Sequence, residues 1–156
     1  MFPGGSARDW GRKVQRLLNS LVSYFRDTSN SMTSLIGASG PYHDIAPEGT
    51  AFPYMTYTVI GGMPNWQGFS TTYVARCHLQ ITLRDVVDDT LATNTEFVAS
   101  KLDTLGGLTL TNGELVRTPI RIEEPRFMAE PIDENGQRVY AGILEYRFNV
   151  QRTRGV

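Results

Sequence analysis

One cysteine, two histidines and a net charge of −1 in 156 residues close off several classes of function at once. A lone Cys77 excludes an intrachain disulfide and a multi-cysteine metal site. With His43 and His78 the only imidazoles, a zinc site would have to recruit carboxylates. The near-neutral balance leaves no overall electrostatic footprint for nucleic acid, which argues against a DNA-coating role. No apolar run approaches the ~20 residues that span a bilayer. The N-terminal Met-Phe-Pro-Gly-Gly-Ser-Ala-Arg-Asp lacks the basic start and apolar stretch of a signal peptide. These absences predict a soluble protein made in a reducing cytoplasm, without a membrane partner. There is no Gly-x-Ser-x-Gly elbow and no Gly-x-x-x-x-Gly-Lys-Ser/Thr phosphate loop. The expectation is therefore a protein that is not an enzyme, with no catalytic residue, no metal and no cofactor.

What is present reads as a folded chain. Apolar residues make up 40% and charged residues 20%, inside the globular range and away from disorder. The length predicts one domain over residues 9–151, preceded by a flexible lead at 1–8 and followed by a short basic tail at 152–156. Asp9 is the expected N-cap of a first helix in which Trp10, Val14, Leu17, Leu18, Leu21, Val22 and Phe25 recur at helical spacing. Arg12, Lys13, Arg16, Asn19 and Arg26 lie on its other side, either as a solvated face or as a contact for an acidic partner. A second short helical turn is expected over Met32–Ile36, ended by Gly37. Tyr54–Ile60 reads as a strand, with Tyr57 placed on the polar face of its sheet. Gly61 to Thr72, with three glycines and a proline, reads as an irregular loop.

Tyr73–Arg84 alternates cleanly. Tyr73, Ala75, Cys77, Leu79, Ile81 and Leu83 face the core, opposite Val74, Arg76, His78, Gln80, Thr82 and Arg84. Asp85 or Asp88 should cap a second helix, with Val87, Leu91, Val98, Leu102 and Leu105 buried and Gly106-Gly107 as its stop. Glu114–Glu124 reads as a strand with Val116, Thr118, Ile120 and Ile122 on one face, Pro119 marking an edge or a bulge. Glu123–Pro131 reads as irregular and Asp133-Glu134-Asn135-Gly136 as a hairpin turn. A last strand over Arg138–Gln151 turns Tyr140, Leu144, Tyr146, Phe148 and Val150 inward. The order gives an α+β fold: a mostly antiparallel sheet of about four strands, two main helices on one face, and long loops.

The polar groups offer little chemistry. His43 beside Asp44 invites a dyad, but sequence neighbours seldom share its geometry, and a loop histidine is expected to bond a backbone carbonyl. Cys77 on a buried face is a small apolar filler. Of the carboxylate pairs, Asp88-Asp89 belongs to a helix start and Asp133-Glu134 to a turn. Glu123-Glu124 flanks Pro125 as an acidic strand end that discourages stray pairing. Three loops and the tail are better candidates. Met63, Trp66 and Phe69 in the Gly61–Thr72 segment either fold back over the sheet or form a contact arm, since aromatics bury much area with few rotamers to fix. Tyr42, His43 and Pro47 mark a second loop, Asp133, Asn135 and Arg138 the hairpin, and Arg152 and Arg154 the tail.

The distinctive stretch is Pro41 to Gly62, in which three prolines deliver the Tyr54–Ile60 strand. Its Ala46-Pro47-x-Gly49-x-x-Phe52-Pro53-Tyr54 pattern, after a helical region, resembles a family of tail-completion (tail-terminator, head–tail joining) proteins of long-tailed bacteriophages. The resemblance covers roughly Val14 to Val150. It implies a structural virion protein that forms a ring of six subunits at the head-proximal end of the tail, stops tube growth and joins the tail to the neck. The partners it implies are copies of itself, the tail-tube protein, a neck (stopper) or head-completion protein, and the tape-measure end. DNA would pass the channel without specific binding, and the protein would reside at the tail–neck junction of the virion. A different neck or tail-tube ring subunit is the nearest alternative; a small ligand-binding α+β domain or enzyme is the alternative from another class.

Overall fold

The computed structural model describes residues 7–65, 72–106, 108–110, 115–132 and 134–153. Its frame is three long antiparallel strands, β2 (Tyr54–Asn65), β3 (Thr72–Asp85) and β8 (Tyr140–Thr153). A two-residue β1 (Tyr42–His43) pairs parallel to β2, the one parallel pairing among the described strands. Along the other side of β8 run β5 (Leu115–Val116), β6 (Ile120–Arg121) and β7 (Arg126–Ala129), and β4 (Leu108–Thr109) borders β5. The α+β class holds, but the sheet is mixed, with eight strands rather than about four. The strand expected over Glu114–Glu124 exists only as the short pieces β5 and β6.

Helices α1 (Ala7–Arg26) and α2 (Asp88–Asp103) cover one face of this sheet. Leu17, Leu18, Leu21 and Phe25 of α1 are buried against Leu79, Ile81 and Leu83 of β3 and Leu144, Tyr146 and Phe148 of β8, in one continuous core. The period-2 reading is therefore correct from Cys77 to Leu83 in β3 and from Leu144 to Val150 in β8. In α2 the buried stripe is Leu91, Thr95, Val98, Ala99 and Leu102. Val87 is half exposed at the N-cap, not part of that stripe, and no side chain caps the helix there. Asp85 instead accepts a hydrogen bond from the N–H of Val86 (2.7 Å), and Asp88 and Asp89 sit in the first turn, where the helix dipole favours them. Asp9 lies inside α1 rather than at its cap.

Other expectations change for local reasons. The turn after α1 is a 3₁₀ segment at Thr28–Asn30, capped by Asp27 accepting from the N–H of Ser29; Met32–Ile36 forms turns only. β2 continues through Gly61, Gly62 and Pro64 because a bulge between Val59 and Gly61 absorbs Ile60 and lets the ladder with β3 resume. Pro64 is tolerated since no strand flanks β2 on its outer side past Tyr57 among the described residues. Tyr57 stands opposite Ile81, so it packs on the helix side and not on the polar face.

The stretch from 115 to 129 departs most. Val116 and Ile120 are four positions apart, whereas their partners Val150 and Arg147 on β8 are three apart. One extra residue reverses which side chains face the core. Val116 is buried, whereas Ile120 and Ile122 are exposed and Arg121 takes the inward register opposite Tyr146. Residues 126–129, expected to be irregular, pair with β8 as β7.

Candidate functional site

Three constructions on this frame present side chains to the outside. The first is the loop between α1 and β2. Arg26, expected on a solvated helix face, turns back: its Nε and Nη2 donate to the carbonyls of Gly40 (2.8 Å) and Ser39 (2.9 Å). The loop then follows β2, with the N–H of Asp44 donating to the carbonyl of Tyr57 at 2.9 Å. His43 stacks on Tyr57 (5.1 Å, 9° between planes) and lies 3.6 Å from Asp44, rather than bonding a backbone carbonyl. Both members of that pair are exposed, so it lacks the enclosure and third group of a catalytic dyad. Tyr54 takes Phe52 against one side (5.2 Å) and Tyr42 edge-on at 6.3 Å. Gly37 adopts φ 91° with Tyr42 close against it, a position where a Cβ would meet the ring at 2.9 Å. This bracing presents Ile45, 81% exposed, between Asp44 at φ 62° and an exposed Pro47.

The second is the outer face of the sheet. At one end Arg84 donates to Glu130 (2.7 Å) and to the hydroxyl of Thr56 (3.1 Å), and the buried Thr56, Thr82 and Ala141 lie on the same face. Further along, Arg126 pairs with Glu145 at 2.5 Å and Glu123 at 3.6 Å. His78 Nε2 approaches Glu145 at 3.4 Å without a hydrogen bond. It is one of three buried polar atoms on this face, with Arg147 Nε and Asn149 Oδ1, that lack a partner among the described residues. The third construction is the broken edge beside β8 and its hairpin. Ile120, Ile122, Phe127, Met128 and Ile132 are all exposed there. Glu134, Asn135 and Gly136 form the turn, with Gly136 at φ 75°. On the inner side of the same edge Asp103 accepts from the hydroxyl of Tyr146 (2.8 Å) and is clamped by Arg121. Burial is the main reason the Tyr146 phenol is pushed well above its ordinary range; the hydrogen bond to Asp103 is the first reason Arg121 is held further protonated.

The residues expected at interfaces fall into separate places. Tyr42, His43 and Pro47 share the braced loop. Asn135 and Arg138 are exposed in the hairpin, near the end of the sheet where Tyr54 and Tyr140 begin their strands. Met63 is opposite Arg76, and Arg152 opposite Tyr73, both toward the other end. Trp66, Phe69, Asp133 and Arg154 lie outside the described residues. Ile45, Ile60 and the exposed residues of 120–132 were not expected; the prolines at 119 and 125 were the signal that the alternation there would slip.

Among the described residues no three His, Cys, Asp or Glu side chains gather as for a metal. No described helix is long and apolar enough to cross a membrane. Two clefts open to solvent, one between α1 and β4 beside Tyr24 and Leu108, one beside Arg26 and Ile36.

No protein-family model matches the chain. No curated protein matches it by sequence. Its fold is similar to that of a chain in the virion of a native gene transfer agent (GTA) particle, with a TM-score of 0.50 and 16% identity over 85% of this chain and 94% of that one. At that identity the likeness is one of fold.

Proposed function

We propose that this chain is a structural protein of a phage-like virion, and within that class a tail-completion subunit that forms a ring at the head-proximal end of the tail. The observation that carries the reading is a coincidence of two kinds of likeness. The fold resembles a chain of a GTA virion over most of its length, and the Ala46-Pro47 to Tyr54 segment carries the tail-completion pattern. The loop that contains that segment is braced at both ends, by His43 on Tyr57 before it and by Phe52 on Tyr54 at its close.

The work of such a subunit is geometric. A ring member presents unlike patches to its two neighbours and further patches along the axis. A rigid three-strand frame suits this work because it holds candidate contact residues at both of its ends. Tyr42, His43, Pro47, Asn135 and Arg138 lie toward one end, Met63 and Arg152 toward the other. Trp66 and Phe69, on the connection between β2 and β3, belong to the same proposal. The mixed charge is compatible with a channel that lets DNA slide, since strong cationic patches would hold it.

Native mass spectrometry of the purified protein, alone and with polymerised tail tubes, tests this. A ring, or a monomer that becomes a ring only at tube ends, is the expected result. A monomer indifferent to tubes would remove the terminator role. For the β2–β3 connection, Trp66→Ala should leave the melting temperature nearly unchanged and impair assembly; a sharp fall in melting temperature would instead make Trp66 a core residue.

A further inference from the structure

The outer face of the sheet, turned away from α1 and α2, has two ends that differ in how their charges are met. Where β7 lies, Arg84 pairs with Glu130 (2.7 Å), and Arg126 with Glu145 (2.5 Å) and Glu123 (3.6 Å). At the other end β3 and β8 set Arg76 opposite Asn149 and His78 opposite Arg147. These four alternate with the buried Cys77, Leu79, Tyr146, Phe148 and Val150, so their side chains share the outer face. Arg76 is exposed and Arg147 partly buried, and the side chain of neither has an ion pair or hydrogen bond among the described residues. Arg147 Nε, His78 Nε2 and Asn149 Oδ1 are closed off from solvent without a partner. Glu145, two residues from Arg147 on the same face, is already engaged: Arg126 holds one oxygen and His78 approaches the other at 3.4 Å. The backbone N–H of Arg117 donates to the carbonyl of Asn149 (2.9 Å), which adds an exposed arginine to the same row.

A partly buried guanidinium without a counter-ion is costly, and a carboxylate fits its fork of donors. There is room for one. Gly61 of β2 stands opposite His78, and a Cβ built on it would meet nothing within 4 Å. On the far side Ile120 stands opposite Arg147, and the N–H of Ile122 donates to the carbonyl of Glu145 (3.0 Å); both isoleucines are more than 40% exposed. Arginine beside exposed apolar groups is the composition of a protein–protein contact. A nucleic-acid surface is more polar and more uniformly positive, whereas Glu130 and Glu145 lie on this face.

We infer that this end of the outer face docks a segment of a partner protein in which a carboxylate lies among apolar side chains. The carboxylate sets between Arg76 and Arg147, and the apolar groups cover Ile120 and Ile122. Charge complementarity selects the segment, and apolar burial adds to its hold. The inference does not rest on the ring reading.

The probe is a short synthetic peptide in which glutamate alternates with leucine. It is titrated into the full chain at low salt and followed by fluorescence anisotropy and by the arginine Nε–H signals in NMR. Saturable binding that shifts the signals of Arg76 and Arg147 is expected, and a peptide alternating lysine with leucine should not bind. Arg76→Gln with Arg147→Gln should weaken binding about tenfold. Lys101→Gln, the same loss of charge on α2, should leave it unchanged. Asn149→Asp places a carboxylate opposite Arg76 within the chain. It should compete with the peptide, lowering affinity several-fold with the melting temperature unchanged or raised. Should the arginine variants melt early, Asn149→Asp decides alone. A peptide that does not bind, or that binds the arginine pair or Asn149→Asp as it binds wild type, overturns the inference. So does duplex DNA that binds wild type more tightly than the peptide at the same salt and loses affinity in the arginine variants, which would make this a phosphate surface.

Discussion

The two sides of β8 show what continuity does to a sheet. Toward β3 the ladder runs unbroken from Thr72↔Thr153 to Asp85↔Tyr140, and the inward residues of both strands stay in phase with the helices. Toward β5, β6 and β7 the same strand meets three short partners whose register slips at Pro119 and again between Arg121 and Arg126. The first slip, of one residue, exchanges the faces; the second, of two, keeps them. The unbroken side yields Leu79, Ile81 and Leu83 at 1% exposure or less; the broken side leaves Ile120 and Ile122 more than 40% exposed. Irregular pairing thus sets isoleucines on the surface.

This contrast can be broken from the rigid side first. Leu144→Asp, at a position 1% exposed and opposite Ile81, buries an unpaired charge and should cost more than about 4 kcal/mol. Loss of cooperative melting by circular dichroism is expected; wild-type-like melting would mean that β8 does not present Leu144 to the helices. Next in size is Gly142→Ala. A Cβ there would lie 2.2 Å from the Thr95 hydroxyl of α2, so a loss of about 1–3 kcal/mol is expected by urea denaturation. The double variant with Thr95→Ala should recover most of it, and additive losses would place the strain elsewhere.

Smaller effects belong to the broken side. Tyr146→Phe removes the hydroxyl that Asp103 and the carbonyl of Ala99 share, for about 1 kcal/mol. No change in melting would show that Arg121 alone secures Asp103. Smallest of all, Ile120→Ser and Ile122→Ser should move stability by less than about 0.5 kcal/mol, as exposed positions do. Destabilisation well beyond that would put these isoleucines in the core and erase the difference between the two sides.

What the sequence revealed follows the same division. The 3.6-residue stripe of α1 and the period-2 patterns of β3 and β8 are carried by many residues in phase, so each was legible with its correct face. Where a single extra residue decides the outcome, counting fails. Ile60 carries β2 past two glycines into a full-length strand, and the slip at Pro119 turns Ile120 and Ile122 outward while Arg121 takes the inner position. β7 was illegible because all four of its residues are exposed and leave no alternation to detect. For the candidate site, composition marked the prolines and aromatics of the loop before β2. The stack of His43 on Tyr57 and the grip of Arg26 on Gly40 join residues fourteen apart and are products of the tertiary fold.

Cys77 sits under the helices at 2% exposure, and burial pushes its thiol up to about 11. At neutral pH it is therefore a silent sulfur toward thiol-directed reagents, which act on the thiolate. A second cysteine placed on any exposed strand edge would be the one reactive handle in the chain. Fluorophores or spin labels can then be attached at a chosen spot on the unaltered core, and the ring proposed above tested by whether labels on different copies come within range of one another.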